Sequence, residues 1–194
     1  MQPTALTLVA IVYWLALAAW FGATLFVVVA SPIIHRVVEK ADPTLPTVLS
    51  VNLDGAHAAL LGGDIVGDLL RRLWTFELYA TIAMAVAQVG EWVITLQGGG
   101  DVLLPAVRTA LLIAAGLVAA YGARVLRPRA ESHRERYVEV ADDPEAAEEA
   151  AASFNRDQVE VSSLLLVELF ALAGLVFFAA IGLGVAAGRT IVLG

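Results

Sequence analysis

The sequence predicts an all-α integral membrane four-helix bundle with amphipathic and charged cytoplasmic helical extensions, and three observations carry that prediction. Hydrophobic residues make up 59% of the 194-residue chain and its mean hydropathy is +0.79, where soluble domains are roughly half apolar. Four stretches, near 5–30, 74–96, 104–125 and 161–187, each supply the about 20 mostly apolar residues that cross a bilayer core. Ten of the twelve Lys and Arg fall in or beside alternate connections, 31–73 and 126–160, which is the asymmetry of a polytopic protein. The whole of 1–194 therefore reads as a single four-span membrane domain.

The first stretch is too long for the 7–15-residue apolar core of a signal peptide, and no Lys or Arg precedes it, so it is expected to be a retained span. At its end, Pro32 predicts a kink with the helix continuing beyond it. In PIIHRVVEK, Ile33, Ile34, Val37 and Val38 share one helical face, and His35, Arg36, Glu39 and Lys40 share the other. That pattern suits a helix on the inner membrane surface. DPTLP, at 42–46, breaks it, and the Gly-rich LGGD at 61–64 predicts a new helix starting at Asp64. Ile65, Leu69, Leu70 and Leu73 lead from there into the second span, with Asp68 and Arg72 at a supportive i,i+4 spacing.

QGGGD is a short flexible turn, so the second and third spans form an antiparallel hairpin. Asp143, Pro144 and Glu145 read as cap, first-turn proline and first-turn acid. No breaker follows, so one helix is expected from Pro144 through the fourth span, with a charged helical hairpin on the cytoplasmic side. The Lys and Arg split places both connections 31–73 and 126–160 in the cytoplasm and both termini outside, in a setting expected to be a bacterial inner membrane.

Composition narrows function. A net charge of −7 gives no reason to expect a nucleic-acid partner, and the absence of cysteine excludes disulfides, thiolate metal sites and a cysteine nucleophile. His35, His57 and His133 all lie outside the spans, so no haem, metal or other cofactor is expected. GGG before Asp101 lacks the Lys-Ser/Thr of a phosphate loop. Ser162 and Ser163 have no nearby histidine and are expected to bond to their own helix or to a neighbour; no enzymatic site is read here. Ala115, Ala119 and Ala123, and Ala18 with Gly22, form small-residue ridges that favour close helix packing. The four tryptophans are read as interfacial or core aromatics.

The informative residues are charges inside apolar runs. Glu77, Arg124 and Glu168 each lie some 19–20 residues from the outer end of their span, roughly 30 Å at a rise of about 1.5 Å per residue. They share a level near the inner boundary of the hydrocarbon core. In an antiparallel hairpin, facing residues have nearly constant index sums, and Glu77 with Arg124 and Glu91 with Arg108 meet that condition. Ionisable groups in spans usually face the protein interior and pair. The expectation is that Arg124 bridges Glu77 and Glu168, and that Glu91 and Arg108 form a second ion pair. The triad reads either as a structural clasp or as a proton or cation site, because two acids and one base leave a negative charge to neutralise.

WFGATLFVVVASPIIHRVV (20–38), ARVLRPRAE (123–131) and FNRDQVEVSSLLLVELFALAGLVFF (154–178) occur in this order. The chain resembles the transmembrane protein 205-like family, a small membrane domain of unknown function found in bacteria and eukaryotes. The Arg-x-x-x-Pro-Arg segment and the Ser-Ser entry to the fourth span carry most of the likeness. Members often have a histidine shortly before that Ser-Ser pair, where this chain has DQVEV. The resemblance implies a four-helix membrane protein with no established enzymatic activity. The function expected first is non-catalytic association in the bilayer, as an accessory subunit or scaffold with a protein partner or a second copy. The alternative is a small ion-coupled carrier using Glu77, Arg124 and Glu168.

Overall fold

A computed structural model of the protein describes residues 3–41, 56–97, 102–140 and 143–192. Helix α1 spans Pro3–Ala41 and α2 spans Ala56–Gln97. Helix α3 (Leu103–Tyr121) passes through a π-helical turn, Gly122–Leu126, into α4 (Arg127–Glu139). Helix α5 spans Pro144–Val192. Every described element is helical, and four helical stretches are long and apolar enough to cross a membrane. DPTLP and the GGGD of the second connection lie outside the described residues.

Helix α1 runs through Pro32 without a break, so the amphipathic segment expected beyond it is the last part of α1. The start expected at Asp64 is corrected: α2 begins at Ala56 and already contains His57 and LGGD. Those glycines mark close contact instead of a helix start. A Cβ on Gly62 would lie 2.6 Å from His35 Nδ1, and one on Gly63 would lie 2.8 Å from Phe154 Cζ. The start of α5 is as expected. Asp143 Oδ1 accepts the backbone N–H groups of Glu145 and Ala146 at 3.2 and 3.3 Å, which caps α5 ahead of Pro144.

The chain packs as two compact units. The first comprises residues 1–23, 76–119 and 167–194, and the second comprises 24–75 and 120–166. In the first unit, each helix gives one stripe of three buried residues. They are Tyr13, Leu17 and Trp20 from α1; Ala80, Met84 and Ala87 from α2; Leu112, Ala115 and Ala119 from α3; and Leu172, Leu175 and Ala179 from α5. The three-and-four spacing keeps each stripe on one helical face. Alternating large and small residues across these stripes let the backbones approach closely, which drives association where lipid removes the hydrophobic incentive. The Ala18–Gly22 ridge is off this face. Both residues are exposed, and among the described residues nothing beyond Gly22's own stretch of helix lies within 4 Å of a Cβ built there.

In the second unit, Leu60, Tyr137 and Ala150 form one buried cluster. The Tyr137 and Phe154 rings lie 6.4 Å apart. In the π-helical turn the Arg127 N–H bonds to the Gly122 carbonyl, five residues back. Gly122 is required there, because a Cβ would sit 2.5 Å from Trp74 Nε1.

Candidate functional site

Two stripes in the first unit carry a carboxyl where an apolar residue would be expected. On α5, Glu168 precedes Leu172, Leu175 and Ala179 at helical spacing; on α2, Glu77 precedes Ala80, Met84 and Ala87. Helical periodicity therefore turns both glutamates inward, and both are 0% exposed. Trp20, the last member of the α1 stripe and also 0% exposed, donates its indole N–H to Glu168 Oε1 at 2.9 Å. The Glu77 carboxyl lies within hydrogen-bonding and electrostatic range of Glu168, and among the described residues no Lys or Arg acts on Glu168. Glu168 makes none of the ion pairs found among the described residues, and its Oε2 is buried without a hydrogen bond. The Glu77 backbone carbonyl accepts the Thr81 hydroxyl at 2.8 Å.

Arg124 does not take the bridging role expected of it. It is exposed, in the second unit, and makes none of the ion pairs among the described residues. Rise per residue and index sums fix height along a helix and leave direction around it open. Gly122 and Leu126 are the buried residues here. Arg124 is two positions from each, nearly on the opposite side.

The second predicted pair lies on buried faces. Arg108 Nη1 hydrogen-bonds Glu91 Oε1, and Gln88 Nε2 donates to Glu91 Oε2 at 2.8 Å. The Arg108 guanidinium also sits 4.5 Å above the Tyr13 ring centre. Arg108 is four residues before Leu112 in the α3 stripe and Glu91 is four after Ala87, so this match in height is also a match in face. Trp92 donates to Thr109 Oγ1 at 2.8 Å close by. This cluster balances its own charge.

Sequence reasoning overlooked a polar network in the second unit. Asp157, 2% exposed, accepts Arg129 Nε on Oδ1 at 3.0 Å and meets His133 Nδ1 on Oδ2 at 2.7 Å. Arg129 also bonds Glu160, which accepts the Tyr121 hydroxyl at 2.8 Å. Arg129 and His133 at i,i+4 on α4 were the available signal. Ser162 and Ser163 bond to the carbonyls of Gln158 and Val159, in their own helix. Among the described residues no group of three or more His, Asp or Glu could hold a metal ion. Against known proteins, no family model, no curated protein and no solved structure matches this chain.

Proposed function

We propose that the protein is a small proton-coupled membrane carrier in which the Glu77–Glu168 pair is the proton site. The carrying observation is the burial of Glu168 beside a second carboxyl, with a tryptophan N–H on one oxygen and, among the described residues, no Lys or Arg acting on it. A structural clasp needs a cation, and the arginine expected to supply one is exposed and makes no ion pair among the described residues. Two ionised carboxyls side by side in a dry interior would each lose solvation and repel the other. Such a pair keeps at most one negative charge and holds the second carboxyl as O–H. A shared proton in a membrane-spanning stretch is the element that couples transport to proton movement.

The ten-to-two Lys and Arg distribution supports cytoplasmic connections and external termini for this reading, in an inner membrane. The test is proton movement into proteoliposomes with a trapped pH dye under an imposed membrane potential. Wild-type protein is expected to move protons faster than empty liposomes, and Glu168→Gln no faster than they do. Equal rates in wild type and variant would remove the reading.

The association reading, as accessory subunit or scaffold, draws on a different observation. The exposed Ala18–Gly22 ridge is open to close approach by another helix. Native mass spectrometry of gently extracted protein separates the two. A second polypeptide lost on Gly22→Leu supports association, and a chain flying alone in both forms counts against it.

A further inference from the structure

Outside the proposed proton site, the second unit holds a cavity of about 370 Å³ between α4 and α5, toward the lower end of the 300–1,000 Å³ typical of small-molecule sites. Ser132, His133 and Arg136 line it from α4; Glu149, Ala150 and Ser153 line it from α5. On each helix the three residues stand at i, i+1 and i+4, so each triplet looks out over a single turn.

The cavity has a built wall. Asp157 is almost wholly buried and holds His133 by Nδ1, while Arg129 fixes the other oxygen of Asp157. The imidazole is thereby oriented with Nε2 as its remaining polar edge, as a supporting carboxylate orients a ligand-binding histidine. Across the cavity, Arg136 and Glu149 carry opposite charges and do not pair. Neither makes an ion pair with any described residue. A simple anion drawn to Arg136 would meet Glu149, and a simple cation drawn to Glu149 would meet Arg136. A molecule bearing both charges satisfies both walls. The α4 side offers the Ser132 hydroxyl and the Arg136 guanidinium, donors suited to the oxygens of a phosphate, and the His133 Nε2, which with Nδ1–H on Asp157 accepts a phosphate P–O–H. The α5 side offers a carboxylate and a hydroxyl, acceptors suited to an ammonium.

We propose that this cavity binds a phosphate–ammonium zwitterion of the phosphoethanolamine class, phosphate toward Ser132, His133 and Arg136, and ammonium toward Glu149 and Ser153. The inference stands independently of the carrier reading. The chemistry is shared by a free metabolite and by a lipid headgroup, and the membrane used in the assay distinguishes them.

The experiment is calorimetric titration of the full chain with O-phosphoethanolamine, with inorganic phosphate and ethanolamine as half-ligands. Wild-type protein in detergent is expected to bind the zwitterion about tenfold more tightly than either half, and Arg136→Gln or Glu149→Gln to weaken it by about tenfold or more. Both residues are exposed and outside every ion pair among the described residues, so the variants retain the fold, checked by an unchanged melting temperature. Binding lost in phosphatidylethanolamine nanodiscs but kept in phosphatidylcholine nanodiscs identifies a headgroup as occupant; binding kept in both identifies the free molecule. No binding in detergent, phosphate binding as tightly as the zwitterion, or full affinity in both variants would overturn the proposal.

Discussion

Replacing Glu168 by glutamine separates a proton-sharing pair from an ion-paired clasp, because the two arrangements respond with different magnitudes. Trp20 Nε1 lies 2.9 Å from Glu168 Oε1, and a glutamine places a carbonyl oxygen in the same position. The amide also presents an N–H where a protonated carboxyl presents its O–H. No volume is lost, the Trp20 N–H keeps its acceptor, and the repulsion between two acids is gone. Glu168→Gln is therefore expected to change stability by no more than about 1 kcal/mol, the scale of one neutral hydrogen bond exchanged for another. Removing one partner of a buried ion pair instead costs about 3–5 kcal/mol. Glu168→Ala calibrates the assay: it leaves the Trp20 N–H unsatisfied and opens a void, costing together about 2–5 kcal/mol. The assay is reversible unfolding in mixed micelles followed by tryptophan fluorescence. A loss of 3 kcal/mol or more in Glu168→Gln would refute the reasoning.

Two further outcomes follow from the geometry. Arg108→Met removes both the bond to Glu91 and the cation over Tyr13, and because the Glu91 side chain keeps 30% exposure the cost is expected at about 1–3 kcal/mol in the same unfolding assay. Gly122→Ala places a methyl 2.5 Å from Trp74 Nε1 and 2.6 Å from Trp74 Cε2. This rigid, buried ring has little room to yield, so a loss of about 1–3 kcal/mol is expected, with a shifted tryptophan emission.

The spans were legible because twenty apolar residues in a row have few other uses, and the cap at Asp143 because its chemistry is local. Glu91 and Arg108 were legible because height and helical face agree. Arg124 was misread for a definable reason: the buried line through Ala115, Ala119, Gly122 and Leu126 runs along the other side of the helix. Trp20 could have been placed by the same periodicity, since it follows Tyr13 and Leu17 at helical spacing. Its bond to Glu168 joins residues 148 positions apart, which no local pattern reveals. LGGD at 61–64 imitated a helix start because glycine is used there for close packing, and only tertiary contact distinguishes the two uses.

The most direct test of the central claim is infrared spectroscopy of the protein in lipid at neutral pH, which detects the carbonyl stretch of a protonated carboxylic acid separately from carboxylate bands. The account predicts such a band in wild-type protein and its loss in Glu168→Gln with Trp20 emission unchanged. Wild-type protein with no protonated-carboxyl band, both glutamates appearing as carboxylates, would contradict it.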